Sequence, residues 1–164
     1  MQKLKLLFLF FLLLIFFGFS TSENQYEPIF MYRTDMENAI KLEGPRILQN
    51  PGKIYIKDNY LFIVEKYLGI HVIDNISPED PDKVGFIHID GCVDLAIKGN
   101  ILYADNAVDL IAIKLAEDFT SIEVTSRNKN AFPEFLAPDG RNLKWAEEHA
   151  RPKNAVLVRW KKNW

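Results

Sequence analysis

Ile56-Lys57-Asp58-Asn59-Tyr60-Leu61-Phe62 is matched further along the chain by Ile97-Lys98-Gly99-Asn100-Ile101-Leu102-Tyr103, an offset of 41 from residue 56 to residue 97. Beyond these, Ile70-His71-Val72-Ile73 is matched by Leu110-Ile111-Ala112-Ile113, an offset of 40 from 70 to 110. A slip of one residue between the two matches is what a loop deletion leaves. One unit of about 40 residues is therefore written twice, and periods of that size belong to repeat architectures.

Each unit reads as four short strands rich in Ile, Val, Phe and Tyr. The first unit places them near 53–57, 60–65, 69–74 and 84–89, the second near 93–98, 101–105, 108–114 and 120–125. Asp58-Asn59 and Gly99-Asn100 fit two-residue hairpin loops, which require a residue at positive φ. Ser77-Pro78-Glu79-Asp80-Pro81 is a longer turn, since proline cannot donate to a strand ladder. No ten-residue stretch in 51–128 has a helical period. Four antiparallel strands in about 40 residues is the arithmetic of a β-propeller blade. A plain meander or sandwich is the competing architecture, and the matched Ile-Lys-x-Asn turn favours blades.

Gly69-Ile70-His71-Val72-Ile73-Asp74-Asn75-Ile76-Ser77-Pro78-Glu79-Asp80-Pro81 resembles the core of the LVIVD repeat family. The motif couples a strand ending in Asp to an Asn/Ser-Pro-x-x-Pro turn. The second copy keeps the strand as Asp109-Leu110-Ile111-Ala112-Ile113, with Lys114 where the first has Asp74 and without the two prolines. The resemblance covers about half the chain and implies propeller-type blades in an extracytoplasmic bacterial protein. It implies no catalytic residues.

The blade arithmetic does not close. Four blades, the minimum for a ring, need about 160 residues, whereas the repeat region 51–128 supplies 78. The flanks add a strand each, Tyr26 to Tyr32 and Ala155 to Trp160. Three outcomes follow: a ring built from several chains, an open stack with an unpaired edge and a bare apolar face, or an N-terminal piece of a longer protein. The expected fold is all-β, two four-stranded antiparallel propeller-type blades with flanking strands, forming an incomplete propeller.

Met1 to Lys5 is a short basic region followed by an apolar run from Leu6 to Phe19. Fourteen residues fall short of the roughly 17 to 20 that span a bilayer, and fit a signal peptide. Ser20-Thr21-Ser22 places small residues for cleavage between Ser22 and Glu23. An uncleaved anchor is the alternative. A lipoprotein anchor fails, because the single cysteine is Cys92. The expected division is a signal peptide at 1–22, an N-terminal flank at 23–50, blades at 51–91 and 92–128, and a turn-rich connection with a C-terminal strand at 129–164. Within the connection, Leu143 to Ala150 reads as a short helix.

The whole chain of 164 residues has formal charge −2, and six of its twelve Phe lie within the first 19 positions. Lys3 and Lys5 fall in the leader, so 23–164 carries 18 Lys and Arg against 22 Asp and Glu, a charge of −4. That balance argues against nucleic acid as a partner. It also outweighs the tail, where Arg151, Lys153, Arg159, Lys161 and Lys162 interleave with Trp160 and Trp164; these read as a charged strand edge.

His71, His88 and His149 show no metal-ligand spacing with one another or with Cys92, and His71 and His88 read as packed strand residues. Cys92 reads as a small buried hydrophobe, the alternative being a bridge between chains. Asp90, Asp94, Asp105 and Asp109 cluster in the second unit. Asp94, Asp105 and Asp109 are candidates for holding a hard cation, against the alternative that Asp simply suits turns. No cofactor is expected. The expectation is an exported, non-catalytic interaction module in the periplasm or at the cell surface, acting on an unknown protein or surface partner, with homo-oligomers possible. The alternatives are a fragment without independent function and a propeller enzyme acting on extracellular saccharide, which would need converging carboxylates.

Overall fold

The computed structural model describes residues 25–163, so the expected leader, its expected cleavage between Ser22 and Glu23, and Trp164 lie outside the described residues. The first repeat forms β3 (Pro51–Lys57), β4 (Tyr60–Glu65), β5 (Gly69–Asp74) and β6 (Asp82–His88). The second forms β7 (Leu95–Lys98), β8 (Ile101–Asn106), β9 (Asp109–Leu115) and β10 (Ile122–Asn128). Each repeat is one antiparallel meander, in order β3-β4-β5-β6 and β7-β8-β9-β10. Both hairpins turn where expected, with Asp58 (φ 53°) and Gly99 (φ 61°) in the left-handed region at the first loop position. The one-residue slip lies in the next turn. Three residues, Lys66 to Leu68, join β4 to β5, but two, Ala107 and Val108, join β8 to β9.

One strand start and the strand count of the first sheet differ from expectation for visible reasons. β7 starts at Leu95 rather than 93, because the N–H groups of Val93 and Asp94 donate to the Asp105 carboxylate at 2.9 and 2.8 Å instead of to a ladder carbonyl. The first sheet has five strands, not four. β2 (Lys41–Glu43) pairs with β6 and extends it to the order β2-β6-β5-β4-β3.

The two sheets pack through one core. The first contributes Phe62, Val64, Ile70, Val72 and Ile87; the second contributes Leu95, Ile97, Leu102, Ala104, Ile111 and Ile113. The 41- and 40-residue offsets make these two sets unlike. Tyr103 and Leu110 are the equivalents of Phe62 and Ile70, while Leu61 and Ile73 are the equivalents of Leu102 and Ile113. The front of the first sheet therefore packs on the back of the second. The repeats stack head-to-tail, like successive copies of one layer, and neither sheet closes.

The connector between the sheets is held by both inner turns. Tyr67 N–H donates to Cys92 O, Gly91 N–H to Tyr67 O, and Ala107 N–H to Gly91 O. Gly91 has φ +75°, and a Cβ there would come within 2.7 Å of the Ala107 nitrogen.

A third layer is made by the chain's flanks. β1 (Tyr26–Tyr32) pairs antiparallel with β11 (Ala155–Lys162). Phe30 faces Leu157 and Ile29 faces Arg159, so Val158 is a bulged extra residue. The bulge shifts the alternation and brings Leu157 and Trp160, three apart, to one face. That face packs with Ala137, Phe30 and Leu143, while Val156 and Val158 pack with Met36, Ala107 and Val108. Met36 comes from α1 (Arg33–Asn38). α2 (Trp145–His149) falls within the span expected to be helical.

Candidate functional site

The aspartates do not form one cluster. Asp109 is fully buried between two arginines: Arg33 Nη1 donates at 2.8 and 3.0 Å, Arg127 Nη1 at 2.8 Å, and the Asn130 N–H at 2.9 Å. Burial would raise its pKa, but those donors outweigh it and hold the carboxyl below its ordinary value. Arg127 also donates to Asn106 Oδ1 (2.8 Å), whose amide donates to Asp90 O (2.6 Å). This network ties α1, β10 and the inter-sheet connector to the β8–β9 turn.

Asp105 accepts the Val93 and Asp94 N–H groups, and burial pushes its pKa up against their pull. Asp94 instead lies exposed, with Lys53 Nζ 2.7 Å from both of its oxygens. Among the described residues, no group of three His, Cys, Asp or Glu side chains is arranged to hold a metal ion. The three candidate carboxylates are committed separately to protein donors.

Cys92 is buried, and burial, with Asp105 beside it, holds its thiol well above the usual range. His71 is buried 3.1 Å from Glu65, packed edge-on to Phe86. Glu65 also accepts the Gln49 (2.9 Å) and Asn50 (2.5 Å) N–H groups and so pins the 44–50 segment over the first sheet. His88 pairs with Asp90, and His149 lies against Trp145. In the tail, Trp160 is buried and donates to Phe135 O (3.1 Å); Arg151 pairs with Glu134 and Glu148, and Lys161 with Glu27. Glu65, Asn106, Arg33 and Arg127 were not singled out in the sequence. An acid closing an apolar strand, as in Tyr60-Leu61-Phe62-Ile63-Val64-Glu65, is the signal that could have found the first of them.

What the molecule presents to solvent is a pair of sheet faces. On the back of the first sheet, Ile54 is 58% and Ile56 69% exposed, yet their repeat equivalents Leu95 and Ile97 are 5% and 9% exposed in the core. On the front of the second sheet, Tyr103 is 37% exposed where its equivalent Phe62 is fully buried. Beside Tyr103 lies a cleft of about 520 Å³, walled by Leu110, Phe132 and Phe135 and rimmed by Lys53 and Asp94. Burying one large apolar side chain is worth about 1.5–3 kcal/mol, so these positions forgo in one repeat what they gain in the other. β3, which carries Ile54 and Ile56, is also an edge strand, paired on one side only with β4, and its Lys53 and Lys57 flank the two isoleucines, the usual protection against indiscriminate pairing.

No protein-family model matches the chain, and no curated protein or solved structure matches it. Among the described residues, no helix is long and apolar enough to cross a membrane.

Proposed function

We propose that the chain is an exported, non-catalytic interaction module of two propeller-type blades, similar to LVIVD repeat proteins, which engages a protein partner through its uncovered blade faces. The observation that carries this reading is the exposure of Ile54, Ile56 and Tyr103 at positions whose equivalents are core in the other repeat. Apolar side chains exposed side by side on one sheet face are the kind of surface that interaction sites use. The leader-like first 22 residues support export, and the separate commitment of Asp94, Asp105 and Asp109 to protein donors supports a role without catalysis.

The test is photo-crosslinking in the cell that exports the protein. A photoreactive side chain at position 56 or 103 is expected to give discrete adducts, and one at exposed Glu79 none. Absence of adducts from both faces would remove the interaction reading.

A further inference from the structure

Resting on that reading, we infer that the partner is a second copy of this chain, docked head-to-tail so that the Tyr103 face of one copy receives the Ile54–Ile56 face of the next. The interface already exists once inside the molecule. There the front of the first sheet, with Phe62, Ile70 and Val72, takes the back of the second, with Leu95, Ile97 and Ile113. The free front of the second sheet carries exposed Tyr103, half-buried Leu110 and buried Ala112 at the equivalent positions. The free back of the first carries exposed Ile54 and Ile56, with Ile73 buried beside them. The two bare faces are thus the two halves of a contact the chain makes with itself one repeat away.

Charge agrees with this pairing. Lys53 and Asp94 are themselves equivalent by the 41-residue offset, and they meet across the internal interface at 2.7 Å. Extending the stack by one more contact brings the Asp94 position of one copy to the Lys53 position of the next, so opposite charges meet again. The segments that cover these faces lie at the same end of each. Gln49 and Asn50 bond Glu65 at the end of β4, and Phe132 N–H bonds Val108 O in the β8–β9 turn. The parts left bare, around β3 and β7, therefore correspond.

A heterologous contact closes into a ring or grows into a filament. Propellers have about four to eight blades, so closure takes two to four copies of a two-blade chain.

The test is light-scattering mass after size exclusion on the full chain, expressed with its leader and purified as the host processes it. The wild type is expected at two to four times the single-chain mass. Ile56→Glu and Tyr103→Glu, each spoiling one face, are expected to be monomeric with unchanged melts. Mixed one to one, they retain one good face each and are expected to give a dimer and nothing larger. Should either variant fail to fold, Ile54→Glu and Ala96→Glu replace the pair. A wild type that is monomeric up to about 100 µM, single variants that keep the wild-type mass, or a mixture that stays monomeric would overturn the inference. A monomer that still crosslinks another protein at position 56 or 103 leaves the interaction module standing and removes the second copy; a monomer with no adduct removes both.

Discussion

Asp109 carries its charge in the interior because two guanidiniums and one backbone N–H replace the water it loses. Asp109→Asn leaves Arg33 and Arg127 facing a neutral group. It is expected to cost about 3 kcal/mol, read as a lowered denaturant midpoint at pH 7. The folded pKa of Asp109 is depressed, as is that of Glu65, where the cost of burial is outweighed by the Gln49 and Asn50 N–H groups and by His71. Both therefore contribute stability that is full above the unfolded value near pH 4 and lost as pH falls through the folded one. Midpoints measured from pH 7 to pH 3 are expected to fall more steeply in the wild type than in Asp109→Asn. At Gly69, where φ is +144°, a Cβ would stand 2.1 Å from Ile87 O; Gly69→Ala is expected to cost more than about 1 kcal/mol. In the sequence Asp109 is a turn aspartate and nothing more. Its partner Arg33 lies 76 residues away, and no local pattern announces such a pairing.

At the scale of elements, the strands and hairpins were legible because each is encoded locally, and twice. Asp58 and Gly99 occupy the same left-handed turn position, so the two repeats test each other. Asp58→Gly is expected to stay within about 0.5 kcal/mol of wild type, whereas Gly99→Val forces a branched residue to positive φ and should cost about 1–2 kcal/mol. Both are read by thermal melt. The β1–β11 ribbon was not legible: its strands could be marked, but not their pairing across the length of the chain. Its bulge was hidden for the same reason, since Leu157 and Trp160 share a face only once Val158 is known to be extra. Deleting Val158 removes the bulge and leaves Leu157 and Trp160, then two apart, on one face; what is lost is the Val158 side chain from its cluster with Met36, Ala107 and Val108. The expected result is early proteolysis within 151–163 while β3 to β10 stay protected.

At the scale of the molecule, the offset of 40 to 41 residues and the identity of the core residues together define the stacking sense, because equivalent residues lie on opposite sides of the core. It also explains why two repeats leave bare faces: a head-to-tail stack always ends in one unsatisfied front and one unsatisfied back. The candidate surface was legible to that extent, as one of three outcomes: an open stack with a bare apolar face. Which aspartates would be consumed by structure was not, because burial and partner choice are decided in three dimensions. The stacking itself is tested most directly by thiol labelling at one equivalent pair, Ile56→Cys and Ile97→Cys. Both are made in the Tyr103→Glu background to keep chains apart, with buried Cys92 as internal reference. The thiol at 56 is expected to label as fast as one in unfolded chain, and the thiol at 97 only as fast as the protein opens. Equal rates at the two positions, or protection at 56 with labelling at 97, would contradict the head-to-tail stack.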